Sequence, residues 1–313
     1  MAVFWATLNQ TAFLFLFIAA GFLLSRWKLI PDNAQTVLSK LENYIFIPAL
    51  VFGTFTDNFS TSKLSAAWKL LSGSFLLALI AIVLAVACVR FFSKDAYERR
   101  ILTYGLCFSN FGFVGNAVLS ALFPDIFMEY LIFTLPLWTL IYLWGVPVLL
   151  LGDGSGKVTL AQRLKNFANP MFVATILGML IGLTGIPLPR FVSTAVASAG
   201  SCMSPIAMLL TGMTIAQFHL REILRIRSVY LVTFLRLVLF PALFLLAALL
   251  LPMPKTFATC AVCSLAMPLG LNTIIIPSSL GKDTRVASGM ALVSHILACV
   301  TIPVVFMLLS FLP

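Results

Sequence analysis

The chain has 313 residues, of which 61% are hydrophobic and 10% are charged, and its net charge is +10. A soluble domain carries roughly 25% charged residues, so this composition excludes a soluble globular protein and indicates an integral membrane protein. The basic excess does not indicate nucleic-acid binding, because it is concentrated in alternate loops between apolar stretches.

Ten apolar stretches are long enough to cross a bilayer, since a membrane-spanning helix needs about 20 mostly apolar residues. We therefore predict an all-α membrane protein with ten transmembrane helices. The first stretch is expected to remain as a helix, because no basic region followed by a cleavage site marks it as a signal peptide. The predicted spans lie approximately at 4–25, 36–55, 68–91, 101–123, 127–151, 168–186, 191–216, 228–251, 256–280 and 286–311.

The basic residues predict how the chain lies in the membrane. With the N-terminus outside, the inside loops hold fifteen of the 20 Lys and Arg residues, and Arg236 falls within a span. Such an excess in alternate loops marks the cytoplasmic side. We predict a multi-pass protein of the cell (inner) membrane with both termini outside. The four basic residues left in outside loops are Lys63, Lys69, Arg190 and Lys255.

The second half of the chain repeats the first half at an offset of about 156 residues. Residues 1–151 and 167–313 each contain five predicted spans, and a polar cytoplasmic linker at 152–166 joins them. Because five is odd, the two repeats must be inverted relative to each other, which is typical of secondary transporters. The recurring residues are Thr103, Cys107, Asn116, Pro147 and Val148, which return as Thr259, Cys263, Asn272, Pro303 and Val304.

The fourth and ninth spans carry helix-breaking residues at matched places. Gly112 and Gly115 lie in the fourth span, and Pro268 and Gly270 lie in the ninth. Glycine weakens a helix by about 1 kcal/mol and proline removes a backbone donor, so we predict a break near mid-membrane in both spans. The alternative is that these small residues only let helices pack closely.

Two broken helices predict a binding site for an anion. The N-termini of their second halves, expected just after Asn116 and Asn272, carry partial positive charge and free N–H groups. A carboxylate is therefore the expected ligand, with hydroxyls available from Ser109, Ser264 and Thr273. The alternative is that the asparagines only cap the broken ends. The predicted substrate-binding residues are Asn110, Gly112, Gly115, Asn116, Pro268, Gly270, Asn272 and Thr273.

Three ionisable residues within the spans are candidates for coupling or charge pairing, because such residues are costly in a membrane. Arg236 could attract an anion or counter a carboxylate, or its side chain could reach the inner surface. Glu42 could bind a proton, or it could be an interfacial carboxylate. His295 could titrate near neutral pH, or it could be a hydrogen-bonded packing residue.

Catalytic and metal-binding motifs are absent from the sequence: it has no Ser-His-Asp order, no paired carboxylates, no phosphate-binding loop and no metal cluster. The pair Cys260 and Cys263 lies in an apolar run without matching ligands, so we expect these cysteines to be packing residues. We expect neither an enzyme nor a cofactor, and coupling to H⁺, coupling to Na⁺ and uniport all remain open.

Three stretches closely resemble the auxin efflux carrier family, which includes plant auxin exporters and bacterial transporters of malonate-like acids. They are GFLLSRWKLIPDNAQTVLSKLENYIFIPALVFGTF, SNFGFVGNAVLSALFP and MPLGLNTIIIPSSLGKD. The resemblance implies a ten-helix inverted-repeat fold with an elevator-like shift. In it spans one, two, six and seven form a scaffold, often dimeric, and the other six spans form a moving transport domain. It also places Asn110 on the substrate-site asparagine of the plant members.

The sequence departs from that family in one motif. Relatives commonly have proline two residues after the second glycine of the fourth span, whereas Gly115 here is followed by Asn116 and Ala117. With its short linker at 152–166 in place of the long hydrophilic loop of many plant members, the chain resembles the compact bacterial type.

The leading hypothesis is a secondary transporter of a small organic anion, such as malonate, malate or an auxin-like acid. The expected partners are that anion, membrane lipid and a second copy of the chain, without nucleic acid. A second hypothesis is a membrane sensor or receptor for organic acids that does not transport. A third is a channel.

Overall fold

The computed structural model describes residues 2–31, 33–151, 170–217, 224–279, 282–309 and 311. Short loops connect the helices in these residues, and one isolated β-bridge is present. The predicted linker at 152–166 lies outside the described residues. The helices are α1 (Ala2–Arg26), α2 (Ala34–Leu41, Glu42–Phe46 and Ile47–Asn58), α3 (Thr61–Val89), α4a (Ala96–Cys107), α4b (Phe111–Leu122), α5 (Pro124–Leu150), α6 (Pro170–Thr184), α7 (Arg190–Ala216), α8 (Arg227–Leu250), α9a (Lys255–Ala266), α9b (Asn272–Ser279) and α10 (Arg285–Leu309).

Five of these described helices are long and apolar enough to cross a membrane, namely α3, α5, α7, α8 and α10. Shorter apolar helices are found in α1, α4b, α6 and α9a. Two of the shorter ones are short because the fourth and ninth predicted spans are each divided in two. The all-helical membrane class expected from the sequence is therefore confirmed.

Proline interrupts the regular hydrogen bonding of several helices. Glu42–Phe46 and Leu235–Leu239 are π-helical, and each is followed within two residues by a proline, Pro48 or Pro241. A proline has no N–H to donate to the carbonyl four residues earlier, so the bonding register shifts locally. Such π-bulges occur frequently at functional sites, and these two contain the charged residues Glu42 and Arg236.

The helices pack in two groups. In the first group α1 packs against α7, and α2 packs against both α6 and α7. Glycine makes these contacts close: a Cβ on Gly178 of α6 would lie 2.8 Å from the carbonyl oxygen of Phe52 in α2. In the second group α3, α4a and α5 pack together, as do α8, α9a and α10. The groups meet mainly where α1 contacts α10 and where α7 and α1 contact α4b.

Loops that are distant in the sequence meet at the two ends of the bundle. At one end the Tyr97 hydroxyl donates to the Asp283 carbonyl oxygen at 2.8 Å, and the Ser228 hydroxyl donates to the Glu98 carboxylate at 2.7 Å. Gln35 Nε2 donates to Thr214 Oγ1 at 2.7 Å where α2 begins and α7 ends. The end of α2 opens on a cavity of about 460 Å³ that the start of α7 and the start of α5 also line.

Candidate functional site

The fourth and ninth predicted spans are broken, and the two breaks cross. Helix α4a ends at Cys107 and α9a ends at Ala266. Between the half-helices, the backbone N–H of Asn110 donates to the Pro268 carbonyl oxygen at 2.7 Å, and Ser109 forms an antiparallel bridge with Leu269. Both predicted breaks are therefore confirmed. Unwound backbone in a membrane must be satisfied within the protein, and here each break satisfies part of the other.

Serine side chains satisfy backbone groups that the breaks leave without helical partners. Proline at position 268 offers no N–H to the Ser264 carbonyl oxygen, which instead accepts a hydrogen bond from Ser109 Oγ at 2.8 Å. The N–H of Leu269 donates to Ser294 Oγ of α10 at 3.1 Å. The crossover is thus a hydrogen-bonded structure that joins α4, α9 and α10.

The second half of the fourth span begins earlier than the sequence predicted. Helix α4b starts at Phe111 with a π-helical turn, in which the N–H of Gly115 donates to the Asn110 carbonyl oxygen at 3.0 Å. Asn116 therefore lies inside α4b, and the prediction that this half begins after Asn116 is wrong. Without a proline in this stretch, helical bonding resumes directly after Asn110. Helix α9b begins at Asn272, as expected, because Pro268 and Gly270 keep the preceding residues irregular.

A cavity of about 20 Å³ lies at the crossover, where α4b and α9b begin. A water molecule takes up about 30 Å³ of liquid, so the cavity has the size of a single water and the site is closed in this conformation. A carboxylate can enter only if the walls separate. Four of the eight predicted site residues line this cavity, namely Asn110, Gly112, Gly270 and Asn272.

The other four predicted residues are not among those that line this cavity. Pro268 lines a second cavity of about 30 Å³, which lies between the crossover and helices α1 and α7. Thr273 Oγ1 donates to the Gly270 carbonyl oxygen at 2.9 Å, so its hydroxyl is engaged by the loop. Gly115 and Asn116 are buried within α4b.

Aromatic side chains that the sequence analysis did not identify complete the crossover cavity. Tyr104 of α4a accepts a hydrogen bond from Asn272 Nδ2 at 3.1 Å through its hydroxyl. Trp138 of α5 lies against Gly112, where an added Cβ would come within 2.5 Å of the indole ring. Close packing therefore accounts for Gly112. Tyr104 precedes the first break by about one helical turn, and this spacing is the sequence feature that could have identified it as a site residue.

His295 of α10 contacts Asn110 directly. Its Nε2 lies 3.1 Å from Asn110 Nδ2, and its Nδ1 lies 2.7 Å from the Ala291 carbonyl oxygen. Because a carbonyl oxygen accepts, Nδ1 carries the proton, and Nε2 of the neutral ring accepts from the Asn110 amide. His295 is buried and also lines the cavity that contains Pro268. Both ring nitrogens of His295 therefore have hydrogen-bond partners.

Arg236 is buried beside the two breaks, at the C-terminal ends of the first half-helices α4a and α9a. Its Nη1 donates to the Leu106 carbonyl oxygen and its Nη2 donates to the Ser264 carbonyl oxygen, both at 2.9 Å. The side chain is 1% exposed, so the alternative that it reaches the inner surface is wrong. The guanidinium group thus links α4a and α9a at their C-terminal ends.

Glu42 lies away from the crossover, in the π-helical part of α2 that packs against α7. Its side chain is fully buried, and neither carboxylate oxygen has a hydrogen-bond partner among the described residues. The alternative of an interfacial carboxylate is therefore wrong. An unpaired buried charge is costly, which keeps Glu42 a candidate for proton binding, although it does not belong to the crossover site.

Comparison with known families agrees with this architecture. The family described as "Membrane transport protein" matches the chain over residues 6–162 and 156–306. The two matches together cover nearly the whole chain and divide it near the predicted linker. A search of curated proteins finds no match. The chain is therefore a member of the membrane transport protein family, the auxin efflux carrier family that its sequence resembles.

Proposed function

We propose that this protein is a secondary transporter of a small organic anion, a carboxylate of the malonate, malate or auxin-like class. The observation that carries the proposal is the crossover itself, where Asn110 and Asn272 line one cavity at the start of α4b and α9b. Two helix N-termini together present about one positive charge, and broken helices use such ends to bind anionic substrates in membrane carriers.

We include in this proposal ten membrane spans arranged as two inverted repeats. The contacts at the ends of the bundle support this topology. If successive helices cross the membrane in opposite directions, the loops that meet in these contacts lie on the same side. Tyr97 near the start of α4a contacts Asp283 before α10, and Gln35 at the start of α2 contacts Thr214 near the end of α7. These ends belong to loops that are rich in Lys and Arg, so we assign them to the inside and both termini to the outside.

We also propose an elevator-like mechanism, in which α3 to α5 and α8 to α10 shift against α1, α2, α6 and α7. The packing supports it, because the crossover lies wholly within the group that would move. Close glycine contacts within the other group suit a rigid scaffold. A homodimer through the scaffold helices completes the proposal, since a moving domain needs a partner surface that stays in place.

His295 is the proposed proton-coupling residue, because it contacts the site through Asn110. A protonated ring would donate from Nε2, so the Asn110 amide would have to turn its oxygen towards His295 and its NH₂ group away. A bound carboxylate favours the positive ring, so we expect a proton to accompany the anion. The buried titratable groups on helices packed against α10 are Arg236, Tyr104, Cys107, Cys260 and Cys263, and half-buried Cys299 lies on α10 itself.

Transport by purified protein in liposomes tests the proposal. Labelled malonate and labelled indole-acetic acid are the probes, and the expected result is saturable uptake that Asn272→Ala reduces at least tenfold. Asn43→Ala is the control, because Asn43 is exposed on α2 and its amide bonds only within its own helix. Saturable binding without uptake would favour the sensor, and ionic currents far above carrier rates would favour a channel.

A further inference from the structure

Arg236 is a buried cation whose hydrogen bonds go to two backbone carbonyl groups. Leu106 O and Ser264 O each accept from one of its terminal nitrogens at 2.9 Å. Within the described part of the chain, no carboxylate forms an ion pair with it. A buried charge is tolerated only when something compensates it, so the compensation must come from the backbone around the guanidinium.

The crossover is what makes these two carbonyl groups available. In an unbroken helix Leu106 O would accept from the N–H of Asn110, but that N–H donates to Pro268 O instead. Ser264 O would accept from residue 268, which is a proline without an N–H. Both carbonyls belong to the last turn of a half-helix, α4a or α9a. Arg236 therefore binds where both breaks have removed a helical donor.

The charges at this point balance. Each helix C-terminus carries about half a negative charge, so the ends of α4a and α9a together present about one, and the guanidinium supplies one positive charge. In carriers with broken helices, C-terminal half-helix ends and unwound carbonyls coordinate the coupling cation. A metal ion drawn to this place would meet a positive charge that is already hydrogen-bonded there.

We propose that Arg236 is a fixed cation that takes the place of a coupling metal ion at the crossover, so that folding of the site and anion binding require no Na⁺. The proposal deepens the proposed function and rests on it for the identity of the transported anion. A covalently attached cation cannot dissociate from the protein. It therefore cannot couple transport to a gradient of metal ions.

Thermal unfolding of the purified protein without substrate tests the proposal. Melting is compared in sodium chloride and in N-methyl-D-glucamine chloride at equal ionic strength. The wild-type protein is expected to melt at the same temperature in both. Arg236→Gln should melt about 5 to 10 °C lower in N-methyl-D-glucamine, because it removes the donor to Leu106 O and one of the two donors to Ser264 O. Na⁺ should restore part of that loss.

Two further variants separate charge from packing. Arg227→Gln removes a positive charge from the exposed start of the same helix, and it should leave melting unchanged in both salts. Arg236→Lys keeps the charge, so it should melt above Arg236→Gln and remain insensitive to Na⁺. If Arg236→Gln does not fold, the lysine variant decides: folding without Na⁺ supports the proposal.

Any of three results would overturn the proposal. The first is a wild-type melting temperature that Na⁺ raises specifically, and the second is an Arg236→Gln variant that is neither destabilised nor responsive to Na⁺. The third is an Arg236→Lys variant whose melting temperature and response to Na⁺ equal those of Arg236→Gln. Because no substrate enters the measurement, a wrong substrate class would appear in the uptake assay and leave these melting results unaffected.

Discussion

The hydroxyl group of Tyr130 occupies the place where a side chain on Gly115 would begin. An added Cβ at position 115 would overlap that oxygen, which donates a hydrogen bond to the Phe111 carbonyl oxygen at 3.1 Å. Tyr130 lies on α5 and is fully buried, so it cannot move away into lipid. The first turn of α4b is thus held against α5 by a contact that only glycine permits.

Replacing Gly115 by alanine should therefore destabilise the protein by about 1 to 3 kcal/mol, the usual range for overpacking. Tyr130→Phe should cost about 1 kcal/mol through its lost hydrogen bond, but it removes the atom that the new methyl group meets. The double variant should consequently be more stable than the sum of the two losses predicts. Melting temperatures of all four proteins measure this coupling, and simple additivity would contradict the contact.

Asn110 and Asn116 should differ in their importance for substrate binding. Asn110 lines the crossover cavity, whereas Asn116 lies inside α4b. A hydrogen bond to a charged group contributes about 1.5 to 3 kcal/mol, so Asn110→Ala should weaken malonate binding roughly ten- to a hundredfold. Asn116→Ala should change it by less than about threefold. Isothermal titration of the two variants provides the comparison, and equal losses would show that the site extends into α4b.

Proton coupling through His295 predicts a pH dependence of binding. If the anion binds together with a proton, malonate affinity should rise as the pH falls, by up to about tenfold per pH unit. His295→Gln keeps an amide that can bond to Asn110, but it cannot take up a proton. This variant should therefore bind malonate with an affinity that does not depend on pH. A slope that survives in His295→Gln would assign the proton to another group, with buried Glu42 as the next to examine.

Glycine contacts in the scaffold predict a difference between two alanine substitutions. A Cβ on Gly212 of α7 would overlap the backbone carbonyl oxygen of Ile18 in α1, and backbone cannot give way easily. A Cβ on Gly53 of α2 would meet a side-chain methyl group of Val196 at 3.1 Å. Gly212→Ala should therefore lower stability by about 2 kcal/mol or more, and Gly53→Ala by less than about 1 kcal/mol. Equal melting temperatures of the two variants would contradict this view of the scaffold.

Some features of the site were predictable because they depend on neighbours in the chain. Pro268 and Gly270 weaken a helix wherever they occur, so the ninth break and the start of α9b at Asn272 could be located from the sequence. The break in the fourth span was also predicted, but the start of the second half-helix, α4b, was placed too late in the sequence. Nothing local to Asn110 says that helical bonding resumes there, because its backbone N–H is taken by Pro268, 158 residues away.

The sequence by itself determined the membrane class and the two interrupted segments, since the transfer of apolar residues into lipid and the loss of backbone donors are local effects. Only the tertiary structure decided which groups satisfy the interrupted backbone. Arg236 was visible in the sequence as a costly charge, but its carbonyl partners lie 130 and 28 residues away. Their availability depends on how α4, α8 and α9 pack, because a buried polar group must find its partner among whichever elements the fold brings within hydrogen-bonding distance.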